Sequence, residues 1–284
     1  MKSGRRNFIL SGVVALCSPA LAKTHKSPLR MGLTPVFLDN DALVIERLRK
    51  ALATALGRSV ELEQRRTYKE VTSLLLEGAL DAAWLCGYPF LQHEDHLSVI
   101  SVPVWRGRPL YQSYLIVGDQ DNAETLEDLR GDIHAFSDPD SNSGFLVTAS
   151  DLAKKGLKPD EFFGRTIFTY GHRNVVRAVA AGLVRSGSVD GYVWEVLAKA
   201  EPALPHQTKV IARSEWLGFP PICARKDRVS DADISALAEV LLEFDQTAEG
   251  MAALDLLQLD RMSKKPTGLY DGIRKRMRIL RDLG

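Results

Sequence analysis

The sequence predicts an α/β protein built in two halves. Short apolar strand-like segments alternate with helix-like segments of 3.6-residue apolar spacing, and glycines stand where the helical spacing stops. Two such alternating stretches are separated by polar or Pro-rich crossings near 113–120 and 212–221. In order, residues 29–33 read as a first strand, 41–56 as a helix ending at Gly57, 60–63 as a strand, 68–77 as a helix stopping at Gly78, and 80–86 as a buried strand ending at Gly87. This β-α-β-α-β order predicts a largely parallel sheet. A strand over 113–117 then leads to a second unit: a strand over 132–136, a helix over 145–155, a strand over 165–169, a helix over 174–183 and a strand over 188–193. Residues 209–212 lead back through Gly218-Phe219-Pro220-Pro221, and the tail from Asp231 to Leu283 is expected to be mainly helical. In that tail Ile273, Met277 and Leu280 share a helical face, which predicts that the intervening arginines form a solvated outer face.

The most specific stretch is Phe136-Ser-Asp-Pro-Asp-Ser-Asn-Ser-Gly-Phe145, a polar turn where a strand feeds a helix. Backbone N–H groups at a helix start carry partial positive charge and suit an anion. Ser141 and Ser143 add hydroxyl donors, and Gly144 permits a close backbone approach. The alternative is that Ser or Asn merely caps the helix. In open α/β sheets ligands gather at the carboxyl ends of strands. Tyr68 at a helix start, Cys86-Gly87-Tyr88, the Ser141–Gly144 turn and Gly171-His172 all fall at or just beyond such ends, which favours the anion site.

The N-terminus reads as an export signal over 1–22. Arg5-Arg6 precede Asn7-Phe8-Ile9-Leu10, an apolar run extends to Cys17, and Ala20-Leu21-Ala22 supplies a small-residue cleavage site. The paired arginines resemble a twin-arginine signal. The apolar run is too short to span a bilayer, and Leu16 before Cys17 is too bulky for a lipoprotein site, so a soluble periplasmic protein is expected. Loss of Lys2, Arg5 and Arg6 moves the formal charge from +1 to −2. A near-neutral chain offers no bulk field for nucleic acid or a membrane surface, so an anion must be held by local dipoles and hydrogen bonds. About 260 residues remain, enough for two lobes with their own cores. Cys86 and Cys223 are expected as two buried free thiols, although an oxidising compartment also permits a disulfide.

Together these segments resemble periplasmic solute-binding proteins of the phosphate/phosphite/phosphonate importer family. The resemblance rests on Leu29-Arg-Met-Gly-Leu-Thr-Pro35, Asp81-Ala-Ala-Trp-Leu-Cys-Gly87, the turn from Asp138 to Phe145, Gly171-His172 before a helix, and Ser188-Val-Asp-Gly-Tyr192. It implies a two-lobed type II periplasmic binding protein fold with an interlobe cleft, with 29–112 and 220–284 in the first lobe and 113–219 in the second. It implies a monomer that captures a small tetrahedral oxyanion and presents it to an ABC permease, with no cofactor. On the family's pattern Tyr68 and Tyr111 line the cleft from the first lobe, Ser141, Asn142 and Ser143 match the turn that grips a phosphonate group, and His172 matches a donor to the same group. Cys86, Tyr88, Asp190 and Tyr192 are further candidates. The family turn usually carries Thr where Asn142 stands. Acids that bind an aminophosphonate's ammonium fall, without gaps, near Tyr192 and Pro220, with Asp190 close by. Their loss favours a ligand without an amine: phosphite, phosphate or a simple alkylphosphonate.

Two other readings compete. Cys86 at a strand end is a soft ligand if ionised, as in similar periplasmic arsenite sensors that signal to a histidine kinase. Cys86 and His172 as nucleophile and base would make an enzyme, but they belong to opposite lobes and no orienting third group is evident. His93, His96, His134, His172 and His206 show no metal-ligand spacing, so no metal site is expected.

Overall fold

The computed structural model describes residues 27–35 and 42–283. The expected export signal lies outside those residues. The chain begins with strand β1 (Leu29–Leu33), helix α1 (Ala42–Leu56), β2 (Val60–Gln64), α2 (Tyr68–Leu76), β3 (Ala82–Trp84), α3 (Gly87–Gln92) and β4 (Leu97–Val104). A short β5 (Leu110–Tyr111) crosses to β6 (Ser113–Gly118), β7 (Ile133–Phe136), α4 (Val147–Ala153), α5 (Pro159–Phe162), β8 (Arg165–Phe168), α6 (His172–Ala180), β9 (Ser186–Asp190), α7 (Gly191–Ala200) and β10 (Thr208–Arg213). The return runs through β11 (Leu217–Gly218) into β12 (Ile222–Arg225), α8 (Ala232–Leu242), α9 (Ala248–Leu257), β13 (Arg261–Ser263) and α10 (Asp271–Asp282).

The strands form two separate sheets. The first has the order β13-β4-β12-β3-β1-β2, the second β10-β6-β9-β7-β8. β2, β1 and β3 pair in parallel, as the alternating pattern predicts, whereas β12 and β13, from the chain's return, pair antiparallel on either side of β4 and β12 joins it to β3. In the second sheet β7, β8 and β9 are parallel, and β6 pairs antiparallel with both β9 and β10. The two crossings meet as a two-stranded ribbon, with Tyr111 opposite Leu217 and Leu110 opposite Gly218.

Local sequence explains where the important elements start. On α1, Val44, Leu48, Ala51 and Leu52 are buried, the stripe expected of an amphipathic helix. At α2, Thr67 Oγ1 accepts from the Glu70 amide and the Glu70 carboxylate accepts from the Thr67 amide, a reciprocal cap that fixes Tyr68 as the first helical residue. β9 is made of small residues, Ser-Gly-Ser-Val-Asp, all buried. Helix α6 lies so close that a Cβ on Gly187 would stand 2.4 Å from Val175 Cγ1. The strand stops at Asp190 because its carboxylate accepts from the Tyr192 and Val193 amides and caps α7. The sequence-based strand over 188–193 therefore begins two residues too late and runs three into a helix.

One expectation for the tail is corrected. Arg276 is not on a solvated outer face: it is 4% exposed and spans from α10 to the second sheet's side of the molecule. Its guanidinium donates to Glu215 through Nε (2.8 Å) and Nη2 (2.5 Å), and through Nη1 to Val147 O (3.1 Å), Ser150 Oγ (2.8 Å) and Asp151 Oδ1 (2.9 Å).

Candidate functional site

The seam between the sheets carries a buried polar cluster. Tyr68, Tyr111, Cys86, Ser141, Asn142, Ser143, His172 and Asp190 are all at most 2% exposed. The turn after β7 forms a π-helical segment over Asn142–Leu146 that continues into α4. Ser141 Oγ accepts from the Gly144 amide (3.0 Å), so the capping role is present, and the hydroxyl keeps its own proton. Ser113 Oγ donates to Ser143 O (2.6 Å) and ties the turn to β6. Gly144 is required by packing: a Cβ there would fall 1.9 Å from Ser137 Oγ and 3.0 Å from His172 Cε1.

Hydrogen bonds cross the seam within the cluster. His172 Nε2 and the Tyr68 hydroxyl are 3.1 Å apart, Asn142 Nδ2 donates to Tyr111 Oη (2.8 Å), and the Asn142 amide meets Cys86 Sγ at 3.3 Å. The His172 tautomer follows from its other side. The Asp190 amide donates to His172 Nδ1 (3.0 Å), so that nitrogen is unprotonated and the ring proton sits on Nε2. Burial pushes the His172 pKa down to about 3, so the ring is neutral. Nε2–H donates to Tyr68, and Tyr68 keeps its own proton for another acceptor. Tyr111 stands in the same relation to Asn142. Burial raises both phenol pKa values well above the usual tyrosine range, which holds both protons in place. Two tyrosines from the first sheet's side thus have their oxygens occupied by second-sheet donors and keep a proton to donate, that of Tyr111 lying beside Cys86.

The cluster also contains acceptors. Asp190 is pushed up to about 7 by burial, against the opposing effect of the amides it caps and of Ser143. Asp138, which the sequence reading did not select, accepts from the Tyr68 amide across the seam (3.2 Å) and from the Asp140 amide (2.8 Å), and burial raises its pKa. Its signal was an aspartate two residues before another amide donor in a turn, the pattern of an Asx turn. Among the described residues, Ser137 Oγ and Asn142 Oδ1 are buried without a hydrogen-bond partner.

The further candidates separate. Tyr88 on α3 is only half-buried and lies at the rim near Gln92 and Asp140. Tyr192 is buried against Trp105 and Phe219, and its hydroxyl donates to Leu257 O (2.6 Å), so its proton is committed to the backbone. Cys86 lies inside the cluster, but burial pushes its thiol up to about 12, the reverse of what a thiolate ligand or nucleophile needs. Both nitrogens of His172 are already engaged. Cys86 and Cys223 are free, buried thiols. No group of three or more His, Cys, Asp or Glu side chains suited to a metal occurs among the described residues.

Two α/β lobes, a double crossing between them and a polar cluster buried at their seam define a type II periplasmic binding protein fold. The chain belongs to the family described as ABC transporter, phosphonate, periplasmic substrate-binding protein, whose model matches residues 31–265. It is similar in fold to a binding protein component of an ABC phosphonate transporter from Pseudomonas aeruginosa, with a TM-score of 0.83 at 23% identity over 90% of this chain and 87% of that one. PhnD1 from Prochlorococcus marinus, solved with methylphosphonate, has a TM-score of 0.75 at 20% identity over 89% and 98% of the two chains. A Xanthomonas citri protein bound to chloride ion has a TM-score of 0.71 at 16% identity over 91% and 99%. Members of the family are periplasmic substrate-binding components of transporters.

Proposed function

We propose that the protein captures a small tetrahedral phosphorus oxyanion, phosphite, phosphate or a simple phosphonate, and delivers it to an ABC permease. The lobes divide at 29–112 with 220–284 against 113–219, and the protein reaches the periplasm by the twin-arginine route. The ligand is held by Tyr68, Tyr111, Ser141, Asn142, Ser143 and His172. The reading rests above all on the polarised tyrosines: two phenol protons from one lobe are aligned by donors from the other, so a ligand accepting both favours the closed state. Ser141 and Ser143 add hydroxyl donors from the second lobe. Among the described residues no arginine or lysine stands in the cluster, which suits a compact oxyanion bound by hydrogen-bond donors. Asp190 and Asn142 Oδ1 add acceptors, so the bound species carries at least one O–H. A monoanion such as hydrogen phosphite or hydrogen methylphosphonate meets both requirements.

Calorimetry of wild type and Ser143→Ala with methylphosphonate, phosphite and phosphate tests this. Loss of one donor to a buried charged ligand is expected to weaken binding about 10- to 150-fold, from roughly 1.5–3 kcal/mol. Equal affinity in the two proteins, or no heat with any of the three anions, places the ligand elsewhere.

A further inference from the structure

A cavity of about 670 Å³ opens at the seam between the segment that leads into Tyr68 and the first turns of α6, which begins at His172. One wall is Leu33 and the segment from Gln64 to Arg66, which ends two residues before Tyr68. The other is Thr169, Tyr170 and the first turns of α6, which include Arg173 and Arg177. Four arginines, Arg65, Arg66, Arg173 and Arg177, therefore line one opening, two from each lobe. Arg65 is paired with Glu63 (2.6 Å) and Arg173 with Glu201. Arg66 and Arg177 have no acidic partner among the described residues. Arg66 instead lies over the ring of Tyr170, 5.2 Å from its centre, across the seam. Tyr170 is held at a backbone φ of 53°, a conformation bulky residues rarely adopt, and this sets its ring opposite Arg66.

This mouth differs in kind from the inner cluster. It is cationic, open and wide, whereas the cluster is buried and compact and holds no cation among the described residues. Guanidinium groups present paired N–H donors that match phosphate oxygens, and the cavity falls in the size range of small-molecule sites. Closure of the lobes brings like charges on the two lips together, and a polyanion between them replaces that repulsion with attraction.

We propose that the mouth is a second anion site, separate from the inner one, that takes a compact polyanion of the diphosphate type and bridges the two lobes. The site rests on the cavity and its arginines and stands whether or not the inner cluster holds a phosphorus oxyanion. Occupancy of the mouth favours closure, so it also raises the affinity of whatever ligand closes the lobes, and the effect is reciprocal.

The test is calorimetric titration of inorganic diphosphate at low and moderate ionic strength into wild type, Arg66→Gln/Arg177→Gln, Ser143→Ala/Tyr111→Phe and, as a control for diffuse charge, Arg278→Gln/Arg281→Gln on α10. The expected result is one diphosphate per protein, at least tenfold weaker in Arg66→Gln/Arg177→Gln, within a few-fold of wild type in the other two variants, and weakened by salt. No binding at low ionic strength overturns the proposal. So does binding lost from the Ser143→Ala/Tyr111→Phe protein while the mouth variant still binds, or binding weakened equally by the α10 control. The substituted arginines of the mouth variant are exposed, so its fold is checked simply by an unchanged thermal midpoint.

Discussion

Two of the polar places where the lobes meet are built on opposite principles. At the clasp, one buried cation on α10 meets two carboxylates, a carbonyl and a hydroxyl, and each of its three nitrogens is hydrogen-bonded. At the inner cluster no cation stands among the described residues, each crossing bond is single, both tyrosines keep a proton to donate, and Ser137 Oγ and Asn142 Oδ1 have no partner among the described residues. A buried polar group without a partner costs about 1–3 kcal/mol, so a protein tolerates several in one place only where something else offsets them. Complete satisfaction marks the clasp as architecture. Incomplete satisfaction marks the cluster as a binding site.

The sharpest way to break this comparison is to remove the clasp. Arg276→Met keeps the packed stem and deletes the guanidinium, leaving Glu215 and Asp151 to water. Because those carboxylates are partly exposed, with side chains 51% and 37% accessible, the loss falls short of that for a fully buried ion pair. A destabilisation of about 3 kcal/mol is expected in urea unfolding, with ligand affinity nearly unchanged once the protein is folded. If affinity falls as much as stability, the clasp belongs to the binding machinery and the distinction drawn here is wrong.

Asp190 sharpens the comparison from the other side, because it lies in the cluster yet is charged for part of the pH range. Its folded pKa of about 7 lies above the ordinary value of 3.8, so the folded state holds the proton more tightly than the unfolded state. The protonated form therefore adds stability that is fully present below the unfolded value and is lost as pH rises through about 7. Asp190→Asn, which still caps α7, lacks this loss. Relative to wild type without ligand, it is expected to gain about 2 kcal/mol between pH 5 and pH 8, using ~1.4 kcal/mol per pH unit and discounting for relaxation. Urea midpoints at the two pH values decide it, and an identical difference at both means that the carboxyl does not titrate in this window.

How much of this was legible in the sequence depends on how local the cause is. The Ser141–Gly144 turn was readable because a strand, a polar turn and an apolar helix follow one another within fifteen residues. Tyr68 was readable because Thr67 and Glu70 write the start of α2 into four consecutive positions. Strand β4 was not read: four of its eight residues are buried in succession, which hides the alternation of a half-covered strand. Helix α7 was merged with β9 because Val-Asp-Gly-Tyr-Val carries no apolar period and only the folded Asp190 cap separates the two. The clasp depends on residues 125 and 61 positions from Arg276. A trace of it was present, since Arg276 falls at i+3 from Ile273 and one before Met277, inside the apolar stripe. An arginine on a buried stripe needs a partner, but the sequence does not say which.

Cys86 gives the smallest expected effect and the finest test of the neutral-cluster account. Its sulfur accepts from the Asn142 amide at 3.3 Å, and burial holds it as a thiol with a pKa of about 12. On this account it is a small apolar filler with a weak acceptor, and the ligand never touches a thiolate. Cys86→Ser swaps a soft, well-matched atom for a smaller, more polar one that can still accept from Asn142. Stability is expected to fall by no more than about 1 kcal/mol, and affinity for phosphite or methylphosphonate to stay within a few-fold. A thermal-shift screen reads both quantities, since a ligand that binds only the folded state stabilises it by RT ln(1 + [L]/Kd). Arsenite belongs in the same screen. A midpoint shift with arsenite that vanishes in Cys86→Ser, with none from the phosphorus anions, means that the sulfur ionises on binding a soft ligand and that the neutral dipoles around it serve a different anion chemistry. A shift with a phosphorus anion that survives the substitution leaves Cys86 as packing and the two aligned tyrosines as the centre of the site.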